Sequence, residues 1–373
     1  LPYRQDLLPE QHDPPTLDGM THPASSPALP SRPESARAPG DLRADVVVIG
    51  GGAAGLAAAI ALARSRRQVV VIDAGQPRNA GSPGAHNVLG QEGISPANLL
   101  ARGRHEAQAY GVTIVDGAAT HASGRLDHFL IEVNHGEQQI AAHRVILASG
   151  LIDDLPAIPG VQAAWGHTVL HCAFCHGWEV RDQRIAVIAR NEIPMHQVML
   201  FRQLSRHVTL FLHEAPEPTE HEWEQLAALG ARVVTPRITR LVTEGHALRC
   251  IEVEGGLRFE MDSAVVTPRY LARTEIYQAL GGEPSILPQG IQIPADPRGA
   301  TPVAGVFAAG NASAVMAMVT ASAAAGVQVG AAVQGDLSFA DLNAAVQERL
   351  APFSAAREAE NCERLLGDRR HGL

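Results

Sequence analysis

The chain has 373 residues, 46% of them hydrophobic and 18% charged, with a formal net charge of -9 and no lysine. That is room for two domains of ordinary size. No basic run is present to neutralise phosphates, which excludes nucleic acid as the expected partner, and no stretch is apolar enough to predict a membrane-spanning helix.

Residues 1 to 43 are rich in Pro, Ser and Asp, lack apolar periodicity, and are expected to form a disordered leader. The first methionine is Met20, so part of that leader is expected to reflect the choice of start codon. No apolar core of a signal peptide occurs there, and a cytoplasmic protein is expected. Order is expected from Asp45. The β-branched run Val46-Val47-Val48-Ile49 predicts a buried parallel strand. Gly50-Gly51-Gly52-Ala53-Ala54-Gly55 follows at once, then a helix over Leu56 to Arg64, a strand over Gln68 to Ile72, and an acid, Asp73. Strand, Gly-x-Gly-x-x-Gly, helix, strand, acid is the pattern of a dinucleotide site. Gly50 makes the tight turn, Gly52 lets the backbone approach a pyrophosphate, Gly55 allows close helix packing, and Asp73 can accept from an adenosine ribose.

Residues 74 to 98 form a long Gly/Pro/Asn-rich loop, a length that is usually functional beside such a site. A helix capped by Ser95 is predicted over Pro96 to Tyr110, followed by strands at Thr113 to Val115 and Phe129 to Val133. Arg144 to Leu147 reads as another buried strand, ending in the small-residue turn Ala148-Ser149-Gly150. A second domain then carries His171-Cys172-Ala173-Phe174-Cys175-His176-Gly177-Trp178-Glu179 and a strand over Arg184 to Ala189. A second glycine fingerprint would be needed there for a nicotinamide nucleotide. The turn instead reads Ala189-Arg190-Asn191-Glu192-Ile193-Pro194, with no glycine between Gly177 and Gly230. NAD(P)H is therefore not expected to bind. After a helix over Thr219 to Leu229 and strands to Val266, the chain returns to the first domain. Thr301 to Asn311 reads as a strand ending at a ligand-facing turn, Ser313 to Ala332 as a helix of small residues, and residues 338–373 as a polar helical tail.

Cys-x-x-Cys-His formally matches the signature for c-type haem attachment, but no export signal accompanies it. Four His and Cys residues within six positions could hardly converge on one zinc tetrahedron; no metal site is assigned. The redox reading remains: two thiols at this spacing can close a disulfide, a helix start lowers a thiolate pKa, and His176 can move a proton near neutral pH. Glu179 could orient His176 or simply be solvated. His171 and Trp178 read first as packing. Cys250 and Cys362 read as plain thiols.

Together these motifs resemble the low-molecular-weight thioredoxin reductases, from about Asp45 to Leu337. The parts that carry the resemblance are the fingerprint at Gly50 to Gly55, Asn87 with Gly90, Ala148-Ser149-Gly150, the cysteine pair, and Gly305-Val306-Phe307-Ala308-Ala309-Gly310. It implies an α/β protein of two Rossmann-like, three-layer ββα domains. The FAD domain would be discontinuous (44–152 and 274–337), with the second nucleotide-type domain inserted at 153–273. It also implies a homodimer, Cys175 against the flavin, and Cys172 exchanging with substrate. Residues implied at the FAD are Gly50, Gly52, Ala53, Gly55, Asp73, Asn87, Ser149, Gly150, Gly310, Asn311 and Met318. Asn311 stands where the family has an aspartate, Met318 where it has glutamine, and His176 where it has aspartate. The form Cys-x-x-Cys-His-Gly-aromatic-Glu is similar to the branch of dithiol oxidases that close disulfides in gliotoxin- and holomycin-type natural products. The resemblance thus implies an FAD enzyme with Cys172, Cys175 and His176 catalytic. It would oxidise a small-molecule or peptide dithiol with oxygen as acceptor. A disulfide reductase fed by NAD(P)H, ferredoxin or another donor, and a non-catalytic redox-sensing flavoprotein, stay open as alternatives.

Overall fold

The computed structural model describes residues 42–350 and 355–366. All but the last two residues of the expected leader lie outside them, as do 351–354 and 367–373. The first segment gives β1 (Leu42–Ile49), α1 (Ala53–Arg64), β2 (Val69–Asp73), α2 (Pro96–Ala109), β3 (Thr113–Asp116), β4 (Ala119–Arg125), β5 (His128–Val133) and β6 (Gln138–Leu147). The middle gives β7 (Leu151–Asp154), α3 (Val161–Ala164), β8 (Val169–Leu170), α4 (Ala173–His176), β9 (Arg184–Ile188), α5 (Met195–Leu204), β10 (His207–Phe211), α6 (Glu220–Leu229), β11 (Arg232–Val234), β12 (Ile238–Glu244), β13 (Ala247–Val253), β14 (Arg258–Glu260), β15 (Ser263–Val265) and β16 (Arg269–Ala272). The last gives α7 (Glu275–Ala279), β17 (Ser285–Leu287), β18 (Gly290–Gln292), β19 (Val306–Ala308), α8 (Val319–Leu350) and α9 (Ala355–Leu366).

The first sheet runs β3-β2-β1-β6-β5-β4, and β19 joins it against β6. Strand β6 is long enough to hold two partners along one edge. Its first half pairs antiparallel with β5 (Ile131↔Ile140), and its second half pairs parallel with β19 (Phe307↔Ile146). The apolar runs of β1 and β2 are buried on both faces because side chains alternate across a strand. Val46, Val48, Val69 and Val71 pack toward α1 and α8, whereas Val47, Ile49, Val70 and Ile72 pack toward Phe129, Ile131 and Tyr277. The result is the expected α/β architecture with strands returning from the far end of the chain.

The second sheet, β11-β10-β9-β15-β8, is parallel throughout. It carries α5 and α6 on one face and the antiparallel β12-β13-β14 sheet on the other. Strands β7 and β16, which enter and leave this domain, pair antiparallel with Leu271 opposite Ile152.

Several boundaries differ from expectation for identifiable reasons. Strand β1 begins at Leu42, which pairs with Ile140, so two residues of the expected leader belong to the sheet. Only Val306–Ala308 of the expected strand over Thr301 to Asn311 is extended in the ladder. The helix expected from Ser313 starts at Val319. Asn311 Nδ2 donates to the carbonyls of Ala314, Val315 and Ala317 at 3.1, 3.2 and 2.9 Å, tying the segment into a non-helical turn. From Val319 the helix continues to Leu350, past the expected start of a separate tail. No Gly or Pro interrupts it between Gly335 and Pro352.

Candidate active site

A cavity of about 1610 Å³ runs from the β1–α1 turn to the cysteine turn and on to the turn after β9. At its first end the chain leaves β1 through Gly50, with φ +108°, close against the carbonyl of Ala148. A Cβ at Gly50 would collide with that carbonyl, whereas Gly52 has open space where a Cβ would lie. Helix α1 begins immediately after, and no side chain caps its N-terminus. Its first amides are thus without a side-chain acceptor at the cavity wall, which suits a pyrophosphate. The residues present fit the FAD that the resemblance implies.

Of the residues expected at the cofactor, Gly50, Gly52, Ala53, Asp73, Ser149, Gly150, Asn311 and Met318 line this cavity. Gly55 and Gly310 stand behind its wall: a Cβ on either would strike Gly50 or Ala54. Asn87 does not line it either. Its Nδ2 donates to the carbonyl of Phe174 at 2.8 Å, and its own carbonyl accepts from Thr320 Oγ1 at 2.7 Å, joining the long loop to the cysteine turn and to α8. Asp73 accepts from Arg104 Nη1 at 2.8 Å; Arg104, a cavity residue sequence reasoning passed over, also bonds Asp116.

Cys172, Cys175 and His176 line the same cavity. The two cysteines form a disulfide with a Cα–Cα distance of 5.3 Å. Cys175 sits on α4, a helix of one turn, and Cys172 is its N-cap, so the expected help from a helix N-terminus reduces to a single donor, Cys175 N–H to Cys172 Sγ at 3.2 Å. His176 Nε2 lies 2.9 Å from Ser82 Oγ, while its Nδ1 is buried without a partner. Burial holds the His176 pKa below the ordinary histidine range, with Glu179 opposing and His86 adding to the effect. Glu179 makes its closest ionic contact with His86 Nε2, at 3.5 Å, and His86 Nδ1 is 2.8 Å from Glu92. Glu179 therefore steadies His86, and Ser82 is what bonds His176. The His171 ring packs against Trp165 and Tyr270. Burial, with the Arg78 charge second, pushes its pKa down to about 4. Trp178 is exposed, with Arg181 stacked 4.1 Å from its ring centroid.

Ser82, His86 and Arg78 all come from the loop over residues 74 to 98, whose length marked it. Asn87 and Gly90 carried a resemblance there, whereas Arg78, Ser82 and His86 belonged to no motif. Arg78 grips Asp153 with two bonds of 2.7 and 2.6 Å. At the far end of the cavity, Arg190 turns back to Asp154, 3.5 Å from its carbonyl and 3.8 Å from its carboxylate.

A disulfide facing a cavity whose other wall is a dinucleotide cradle defines a flavin-linked disulfide oxidoreductase. The chain belongs to the pyridine nucleotide-disulphide oxidoreductase family, which it matches over residues 44–326, and it is thioredoxin reductase-like. It is similar to thioredoxin reductase sirT of Leptosphaeria maculans, 30% identical over 319 residues, covering 80% of this chain and 96% of the relative. Among solved structures, HlmI is 38% identical with a TM-score of 0.76, covering 82% of this chain and 96% of its own. An oxidoreductase from Agrobacterium tumefaciens is 32% identical with a TM-score of 0.76, covering 80% and 99%. The protein is thus an FAD-dependent disulfide oxidoreductase. No helix among the described residues is long and apolar enough to cross a membrane.

Proposed function

We propose that the protein is a dithiol oxidase: it closes a disulfide in a small-molecule or peptide dithiol and passes the electrons through Cys172–Cys175 and FAD to oxygen. The observation that carries this reading is the turn after β9. It has no glycine, and Arg190 folds back onto Asp154 beside the space a nicotinamide nucleotide would need. The Cys-x-x-Cys-His motif and the likeness to HlmI support the same branch. NAD(P)H is then not the electron donor, and the working form is a homodimer.

A substrate thiolate attacks Cys172 Sγ, the mixed disulfide forms, and Cys175 leaves as thiolate. The second substrate thiol displaces Cys172 and closes the product disulfide. His176 holds the proton released by the attacking thiol. When bound, FAD would supply a two-electron acceptor for the reduced cysteine pair, with oxygen as the terminal oxidant and hydrogen peroxide as the balanced product. The residues named at the cradle hold that cofactor.

Anaerobic titration of the oxidised flavoprotein with NADPH, NADH and a dithiol in turn tests the direction. The flavin is expected to bleach with dithiol alone, and Cys172→Ser is expected to abolish bleaching. In air, the dithiol should drive oxygen uptake. Rapid bleaching by NADPH or NADH would instead establish the reductase that the relatives' names describe. No turnover across varied dithiols would sink the oxidase.

A further inference from the structure

The hydroxyl of Ser82 has one proton, and its place is fixed. Ser82 Oγ donates to the carbonyl of Gly84 at 2.7 Å, and a carbonyl can only accept. The contact of 2.9 Å between Ser82 Oγ and His176 Nε2 must then run the other way, from an Nε2–H into the serine oxygen. A neutral imidazole carries one N–H. His176 therefore has its lone pair on Nδ1, the atom that is buried and without a partner. The opposite tautomer would bury an N–H with nothing to accept it and set a lone pair against an oxygen whose proton is already used. A spare acceptor closed to water, one residue from Cys175, has no structural job while the disulfide is intact.

We propose that Ser82 is a positioning residue that fixes His176 as the Nε2–H tautomer, so that Nδ1 receives the proton released when a dithiol opens the Cys172–Cys175 disulfide. The step balances as follows. Two substrate thiols lose two protons and two electrons and become a disulfide. The Cys172–Cys175 bond takes the electrons, leaving Cys172 as thiol and Cys175 as thiolate. One proton is on Cys172 and the other on His176 Nδ1. The imidazolium then keeps its Nε2–H on Ser82. The charged and titratable groups around it are Glu179, which favours the imidazolium, His86 with Glu92 behind it, which opposes it while protonated, and His171, held neutral by burial.

This rests on His176 acting as proton acceptor, as proposed above, and needs neither oxygen nor the natural substrate. The first measurement is ¹⁵N NMR of flavin-loaded, oxidised protein labelled at histidine, with the His176 signals found by their loss in His176→Gln. An unprotonated Nδ1 and a protonated Nε2 are expected in the wild type and in Ser82→Thr, and a tautomer mixture in Ser82→Ala. The second is the pH profile of anaerobic flavin reduction by dithiothreitol. Since proton acceptors of this kind contribute large rate factors, Ser82→Ala is expected to slow this reduction about tenfold and flatten its acid limb, while Ser82→Thr keeps the wild-type profile. A protonated Nδ1 in the wild type, or a Ser82→Ala protein with unchanged spectrum and profile, overturns the proposal. If Ser82→Ala fails to fold, the wild-type and Ser82→Thr spectra still decide. A Ser82-dependent profile in a protein that consumes no oxygen supports this inference and sinks the oxidase reading.

Discussion

His171 stands just before the cysteine pair, yet its surroundings make it a poor proton carrier. With its pKa pushed from 6.5 to about 4, it stays neutral near neutral pH. The sign of the linkage follows: because the native state disfavours the charged ring, this contribution to stability is whole above about pH 6.5 and is lost as pH falls toward 4. A shift of that size corresponds to about 3 kcal/mol. His171→Phe is therefore expected to show a shallower fall in Tm between neutral pH and pH 4 than the wild type; parallel melting curves would refute it. The sequence placed both histidines beside the cysteines and favoured His176, but the reason, burial and ring packing of His171, arises from residues distant in the chain. Asn311 teaches the same lesson. Its position in the motif marked it for the cofactor, and three carbonyls it ties together were invisible without the fold.

Helices α1 and α8 meet over small residues, and this contact sets the wall of the cofactor cradle. A Cβ at Gly326 would collide with the carbonyl of Ala54, two residues from Gly52. Gly326→Ala gains about 1 kcal/mol of helix propensity. The collision outweighs this, at about 1–3 kcal/mol for overpacking. The variant is expected to lose stability and retain less FAD on dilution. Gly335→Ala on the same helix, where nothing lies within 4 Å, is expected to gain stability and keep its flavin. Equal effects at both positions would show that packing against α1 is not the cause. Strands were legible as β-branched runs, and the start of α2 by its Ser95 cap, which is present. The start of α8 was not, since a turn organised by one asparagine leaves no periodic trace.

On the scale of the whole molecule, the linker β7 is held from both sides. Asp153 is gripped by Arg78 of the flavin-side loop, and Asp154 faces Arg190 of the inserted domain. With Ser82 on His176 and Asn87 on Phe174, these contacts keep the disulfide on the cavity. Asp153 is nearly buried, so removing its partner leaves an unpaired carboxylate at a cost of about 3–5 kcal/mol. Arg78→Met is expected to raise hydrogen exchange over residues 171–178 and to slow flavin reduction by a dithiol. Arg78→Met combined with Asp153→Asn should recover stability but not the slow exchange. Unchanged exchange in the single variant would show that the linker contact does not hold the cysteine turn. Two domains could be expected from the length of the chain, whereas this bracing joins residues that no motif connects.

The shared edge of β6 has a consequence for the order in which the protein is made. The place beside Val145 to Leu147 belongs to β19, and α8, which covers α1, comes later still. Every residue of the inserted domain is synthesised between β6 and β19. A contiguous domain can fold as a unit as it leaves the ribosome. The flavin domain must meanwhile wait with an open strand edge and an uncovered helix face. On the nascent chain, every residue of the disulfide-bearing domain is therefore made before the strand and helix that complete the cradle.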